Sequence, residues 1–486
     1  MQDPGYGLPR IPLPRTPVKT SRIRYPVDPS CPYETYNQLV TWLSDGAGFT
    51  RSPGPLKKGS TPLITGRLQI GGILVRFFSA IVPSFRVQRL AASAGLAALV
   101  LVLAGCGILS VPAEDRGAKN VILIVGDGMG AAQRDAIQLV SVGAHKKSIM
   151  DSLPHVGLVG TNSANSDYPV TDSAAAATAM ASGVKTFNGW VGVDTSNNAV
   201  PTVLEQAKAA GKVVGLVTTS SVTDATPAAF AAHIADRNQE RHIAQQYLEE
   251  SEPDIILGGG RGSWEPTEQE PEDLTERAQE QGYTYLTDRT ALNSTSDRKL
   301  LGLFAEEQMY VAAPEGEGDS YKPAVSLPEM TRKAIGILSE DPDGFFLLVE
   351  EEAIDSMGHV GNGTLMLKAG KALNQSVKIA KDFADENGDT LLIVVGDHEC
   401  CGLSVEQPEE GGGAGEGEDG PFSVAGSDQE FVLDNSTAGH TAVDVPLTAM
   451  GPGAERLAGI YENTFIHEVM VQSAGLDAGG GSSETS

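Results

Sequence analysis

Three short runs constrain most strongly what this chain can fold into. They are Asn120-Val121-Ile122-Leu123-Ile124-Val125, Phe345-Phe346-Leu347-Leu348-Val349 and Leu391-Leu392-Ile393-Val394-Val395. Each is apolar almost without interruption, and a run that does not alternate with polar residues marks a strand buried on both faces. Val213 to Val217 and Asp254-Ile255-Ile256-Leu257 read the same way. Helical stretches lie between them: the alanine run after Ser173, Pro201 to Ala210, Pro227 to Ile234, and Leu365 to Glu386. Buried strands alternating with helices predict an α/β fold with a central, mainly parallel sheet covered by helices on both faces.

Each run also ends in chemistry. The first runs into Gly126-Asp127-Gly128-Met129-Gly130, the second into Glu350 with Asp355 and His359 following, and the third into Gly396-Asp397-His398. Ligands of such sheets bind beyond the carboxyl ends of the strands. A single acid in that position is ordinarily a helix cap or a solvated loop residue. Three strands delivering metal-type ligands to one edge is a different matter. Asp with His suits zinc, and all-oxygen sets suit magnesium. The spacing Asp355-x-x-x-His359 puts both side chains on one face of a helix or turn. Gly439-His440-Thr441 adds a histidine just ahead of Val445 to Met450, which reads as another strand.

The segment Val170-Thr171-Asp172-Ser173-Ala174-Ala175-Ala176-Ala177-Thr178 places a serine at the mouth of an alanine run, and alanine is the best helix former. Taken alone, Asp172 or Ser173 is an N-cap. The same position faces the unpartnered N–H groups and positive dipole end of a helix, a place to hold an anion.

Together these residues resemble the alkaline phosphatase family. The serine segment is similar to that family's signature and continues into Gly183-Val184-Lys185-Thr186-Phe187-Asn188-Gly189. Asp224-Ala225-Thr226-Pro227-Ala228-Ala229, running on to His233 and Arg237, resembles the segment carrying a magnesium ligand and a phosphate-binding arginine. The resemblance extends from about Lys119 to Gly451, with gaps around 262–325 and 405–430. It implies an alkaline-phosphatase-like fold with an inserted cap or crown region, and hydrolysis of phosphomonoesters through a phosphoserine on Ser173. One zinc would be held by Asp355, His359 and His440, and a second by Asp127, Asp397 and His398. Magnesium would take Asp127, Thr226 and Glu350, with Asp224 orienting its waters. Arg237 would grip the phosphate and Asp172 would orient that arginine. The cofactors implied are therefore two Zn2+ and one Mg2+ per chain. Where some family members carry Lys or His after the first zinc aspartate, this chain has Ser356. The alternatives are a phosphodiesterase or sulfatase on the same scaffold, or a metal- or phosphate-binding lipoprotein without turnover.

Charge divides the chain. Up to Cys106 there are 12 basic and 4 acidic residues, and beyond it 23 basic and 59 acidic. So acidic a body excludes nucleic acid as a specific partner, because phosphate backbones are repelled. Residues 1–85 are rich in Pro, Arg and Gly without periodicity, which predicts a disordered extension or a start assigned too far upstream, with a true start near Val75 or Val87. Residues 86–106 read as a signal peptide: a basic flank, about 15 apolar residues from Leu90 to Ala104, then Gly105-Cys106. The ending Leu103-Ala104-Gly105-Cys106 resembles a bacterial lipobox, which would make Cys106 an acylated membrane anchor. The expectation is an exported catalytic domain over 107–486, periplasmic or extracellular and membrane-tethered. Its partners would be small phosphomonoesters, a membrane surface through Cys106, and a second copy in a homodimer. Cys31 falls outside the mature chain, so only adjacent Cys400 and Cys401 remain, and these read as buried inert thiols. Residues 262–325 read as an insertion over the sheet edge, and Glu406 to Ser427 as a flexible acidic loop.

Overall fold

The computed structural model describes residues 117–409, 412–415 and 417–476, and separately an antiparallel strand pair in which Gln69 faces Leu74 and Ile70 faces Ile73. The extension, the signal peptide with Cys106, and Cys31 lie outside the described residues of the main body. Among the described residues no helix is long and apolar enough to cross a membrane.

Ten strands form one sheet: β1 (Asn120–Gly126), β2 (His155–Gly160), β3 (Val213–Ser221), β4 (Ile255–Gly259), β5 (Thr284–Leu286), β6 (Leu300–Leu303), β7 (Phe345–Glu351), β8 (Thr390–Gly396), β9 (Val445–Met450) and β10 (Gly459–Glu462). Their spatial order is β10-β2-β9-β8-β1-β7-β3-β4-β6-β5. Neighbours run parallel except at β9, which is antiparallel to both β8 and β2. The expected mainly parallel sheet is therefore present, with its core where the sequence runs are most apolar. Successive side chains of β1 serve opposite faces. Val121, Leu123 and Val125 enter one hydrophobic cluster, while Ile122 and Ile124 enter the other.

Helices cover both faces. On the first lie α2 (Ser173–Ser182), α3 (Val203–Ala209), α4 (Ala225–Ala231) and α8 (Thr464–Ser473), and on the second α1 (Ala131–Ser141), α5 (Leu327–Leu338) and α7 (Gly363–Asn387). Between β7 and α7, α6 (Ala353–His359) forms a short turn of helix. Every residue of α2 is buried, and it packs against α4 and α8. Its alanines explain that arrangement, since small side chains let neighbouring helices approach closely while keeping helix propensity high.

Two regions differ from the sequence expectation. Part of 262–325 is not laid over the sheet but continues it, because β5 and β6 extend the edge beyond β4 through the pairings Leu257–Gly302 and Leu286–Gly302. The acidic segment 406–427 is not loop throughout. Asp419–Ser423 is a strand in a three-stranded sheet with Leu403–Glu406 and Glu430–Asn435, where the Phe422 and Phe431 rings meet at a tilt with centroids 5.5 Å apart. Backbone pairing with Glu430–Asn435, whose Phe431, Val432 and Leu433 are buried, orders residues that the Gly- and Glu-rich composition assigns to a loop.

Candidate active site

Register places the acids before any side-chain detail is considered. Gly126 pairs with Gly396 on one side and Glu351 on the other, and Glu350 pairs with Thr218 of β3. Asp127, Asp397 and Glu350 thus stand abreast at the carboxyl ends of three adjacent strands. All three are buried, with exposures of 3%, 1% and 1%.

Ser173 is the first residue of α2, and its N-cap is Asp172, whose Oδ1 accepts the Ala175 amide at 2.9 Å. Capping and nucleophile placement are thereby divided between neighbours, leaving the buried Ser173 hydroxyl to turn toward the acids at the strand ends. Its Oγ lies 3.2 Å from His398 Nε2. That nitrogen also lies 3.4 Å from Asp127 Oδ1 and 3.2 Å from Asp397 Oδ2, two buried oxygens that accept no hydrogen bond. Two carboxylate oxygens and an imidazole nitrogen facing one point form a cation donor set.

The second group is built from α6 and the loop before β9. His359 Nε2 lies 2.9 Å from Asp355 Oδ2, His440 Nε2 lies 3.6 Å from Asp355 Oδ1, and the two Nε2 atoms lie 3.1 Å apart. Their other ring nitrogens face backbone carbonyls, His359 Nδ1 that of Ala438 at 2.7 Å and His440 Nδ1 that of Thr171 at 3.0 Å. Carbonyls at both Nδ1 atoms suit N–H donors there and turn Nε2 inward, the usual outer support of a metal-binding histidine. The His398 and His440 rings stack at 3.6 Å, which joins the two groups.

Thr226 lies in the first turn of α4, buried beside Glu350. Glu350 accepts from Thr218 Oγ1 at 2.6 Å. Arg237 donates to Asp224 at 2.9 Å and to Asp172 at 3.3 Å, and its own amide is held by the Gly189 carbonyl at 2.8 Å. All twelve residues singled out from the sequence therefore converge on one sheet edge. His233 is not among them and packs between Gly192 O and Glu205, a structural role.

Electrostatics agree with the geometry. Burial pushes the Asp127 carboxyl well up, reinforced by the charges of Asp397, Asp355 and Glu350. Burial likewise lifts Glu350 to about 8, against the hydrogen bond from Thr218. Asp355 behaves oppositely: burial would raise it, but His359 and His440 hold it far below the usual carboxylate range. The Asp355 hydrogen bond lifts His359 to about 9. Burial would lower Arg237, yet Asp224 and Asp172 keep it above its ordinary value. So many carboxylates packed together without countercharge destabilise one another, and bound divalent cations would relieve that repulsion.

Two contributors escaped the sequence. Glu352 accepts from Ser356 Oγ at 2.7 Å, and burial, then Asp224 and Asp355, push its carboxyl well up. Glu399 accepts from Gln133 at 2.9 Å, from the Gly402 and Leu403 amides at 3.1 Å each, and from the Thr441 hydroxyl. It therefore links the segments carrying His398 and His440. Glu399 directly follows the assigned His398, and Glu352 lies two residues after the assigned Glu350, where the charge run Glu350-Glu351-Glu352 was the available signal. Cys400 and Cys401 correct the thiol reading: their sulfurs are joined in a vicinal disulfide. Adjacent residues pinned on both sides bring the two sulfurs together, but a bridge between neighbours closes no chain loop.

A serine at a helix N-terminus, two His-and-Asp clusters beside it and an arginine held by two carboxylates define a metal-assisted phosphoryl-transfer hydrolase. The sequence profile of the alkaline phosphatase family matches residues 118–416. Alkaline phosphatase 3 of Bacillus subtilis is 32% identical over 421 residues, covering 72% of this chain and 87% of its own length. The Escherichia coli alkaline phosphatase is 34% identical over 419 residues, covering 75% and 87%. The solved alkaline phosphatase of the Antarctic bacterium TAB5 is 32% identical, covers 74% of this chain and 98% of its own, and superposes with a TM-score of 0.63. A variant of the TAB5 enzyme is solved with Mg bound. The chain belongs to the alkaline phosphatase family, and it is a phosphomonoester hydrolase.

Proposed function

We propose that this chain hydrolyses small phosphomonoesters with Ser173 as nucleophile, using two zinc ions and one magnesium ion. Zinc would be held by Asp355, His359 and His440 and by Asp127, Asp397 and His398, and magnesium by Asp127, Thr226 and Glu350 with Asp224 outside it. Metals bound there would supply a lowered hydroxyl pKa and charge neutralisation at the attacking and leaving oxygens. The observation that carries the reading is the placement of Ser173 Oγ 3.2 Å from His398 Nε2, itself between Asp127 and Asp397.

Arg237 presents a fork of N–H donors to two non-bridging phosphate oxygens, a geometry lysine lacks. Asp172 and Asp224 hold that fork in place before substrate arrives. Ser173 Oγ forms a bond to phosphorus as the ester oxygen departs, giving a phosphoserine and an alcohol. Water then attacks the phosphoserine, releasing inorganic phosphate and restoring the hydroxyl. Arg237, with cations held in those donor sets, would offset a dianion that so acidic a protein otherwise repels. Export, with acylation at Cys106 tethering the domain to a membrane surface, completes the reading and is tested by mass analysis of the native N-terminus.

Rates on a nitrophenyl phosphate, the matching diester and the matching sulfate test the chemistry. The monoester is expected to be fastest, and a faster diester or sulfate overturns the assignment. Elemental analysis of the purified protein tests the metals, with two Zn and one Mg per chain expected and a single metal per chain contradicting the ligand sets.

A further inference from the structure

Cys400 and Cys401 take no part in the proposed reaction, yet they sit where the segments that carry it meet. The Cys400 amide donates to Gly128 O at 3.1 Å, in the loop after Asp127, and the Cys401 amide donates to Gly439 O at 3.0 Å. Cys400 also faces His440 across the strand pair formed by Glu399–Cys400 and His440–Thr441. Both cysteines are buried. Their sulfurs lie against α6: a Cβ added at Gly358 would stand 3.1 Å from Cys400 Sγ and 3.5 Å from Cys401 Sγ. The absence of a side chain at 358 leaves room for Cys400 Sγ beside the helix carrying Asp355 and His359, with Cys401 Sγ at ordinary contact distance. A His359 ring nitrogen and the two sulfurs lie within 4.8 Å of one another. His359 is 34% exposed at its side chain, so the group has a route to solvent.

Two sulfurs and an imidazole form a soft donor set, unlike the carboxylate-rich sets next to it. We propose that Cys400 and Cys401 form a redox-gated site for a thiophilic divalent cation, completed by His359. As a disulfide the pair offers no thiolate and the site is closed. A dithiol reductant transfers two electrons and two protons: the Sγ–Sγ bond breaks, two thiols form, and the reductant closes to its own disulfide. Binding a cation such as Cd2+ then displaces both thiol protons. Capture withdraws His359 from the zinc set, so reduction followed by a soft metal inhibits turnover. That inhibition rests on the reading of His359 as a zinc ligand, whereas capture by the sulfurs does not.

The test uses the full chain, reduced with excess dithiol, desalted without oxygen and titrated with Cd2+. Sulfur-to-cadmium charge-transfer absorbance is followed, a band that carboxylates and imidazoles do not give. The expected result is two newly alkylatable thiols in the peptide containing 400–401, and a band saturating at one Cd2+ per chain. Unreduced protein and C401S should lack that saturating band, and H359Q should bind Cd2+ about ten-fold or more weakly. The proposal fails if no thiols appear, if unreduced protein gives the same band, or if H359Q leaves the affinity unchanged. The comparison with unreduced protein needs no substitution and stands even where C401S does not fold. Phosphatase rates measured in parallel separate the two readings. A full band in a protein with no turnover would sink the proposed catalysis and leave the sulfur site standing.

Discussion

Replacing Arg237 with lysine isolates the phosphate grip from the metal chemistry. The guanidinium is held by Asp224 at 2.9 Å and Asp172 at 3.3 Å, with about a quarter of its side chain exposed. Lysine keeps the charge, but its three donors radiate from a single nitrogen, so it cannot span both carboxylates and two phosphate oxygens at once as the planar fork does. The loss is then about one charge-assisted hydrogen bond, about 1.5–3 kcal/mol in the transition state. At 1.36 kcal/mol per decade, kcat/KM should fall by about 10- to 150-fold. Inhibition by inorganic phosphate should weaken in step, because product and transition state use the same fork. Partly exposed ion pairs contribute little to stability, about 0–1 kcal/mol, so the melting temperature should barely move. Arg237 belongs to neither metal donor set, so metal content should be unchanged. The assay is steady-state hydrolysis of a nitrophenyl phosphate with phosphate as inhibitor, beside elemental analysis. A kcat/KM within two-fold of the parent, or a loss matched by metal loss, would refute the reasoning.

Metal removal should expose the crowded carboxylates as a pH dependence. Without metal, the native state keeps Glu350 protonated up to about 8 and His359 protonated up to about 9. The native state therefore binds more protons than the unfolded chain, and stability falls as pH rises. The Glu350 contribution declines from the ordinary carboxylate range to about 8, and that of His359 from about 6.5 to about 9. Chelated protein should melt lower at pH 9 than at pH 6, and restoring metals should flatten the slope; an unchanged slope contradicts the assignment of these groups to metal sites. Glu399→Gln removes the charge that ties Thr441 and Gln133 to the His398 strand, so metal affinity should drop about 10- to 100-fold with the fold retained. Competition with a chelator measures it, and an unaltered affinity means that Glu399 is mere packing.

How much of this was legible beforehand followed burial. β1, β7 and β8 are buried on both faces, so their sequences are apolar throughout and need no partner to be recognised. β2 and β10 sit at the far edge, where Val156 is 58% exposed and Ile460 79% exposed, so their composition carries little strand signal. β5 and β6 are only three and four residues long, and their place in the sheet depends on β6 pairing with β4 and β5 pairing with β6. Site residues were legible where each stood at a strand end or helix start in the order the family resemblance supplied. Glu399 acts through hydrogen bonds to Gln133 and Thr441, distant in sequence, and no local pattern announces those. Glu352 bonds Ser356 one helical turn on and owes its raised carboxyl to burial and to Asp224, which only the fold brings near. The bonded state of Cys400 and Cys401 likewise depends on the loops after Asp127 and before His440, which pin the pair between them.

Ser173 tests the account most directly. Rapid acid quench during turnover, followed by peptide mass spectrometry, should find one phosphoryl group on the peptide containing Ser173. Ser173→Ala should lose that adduct and nearly all turnover while keeping its metals. A Ser173→Ala protein with undiminished activity, or a phosphoryl group trapped on another residue, would contradict the central claim.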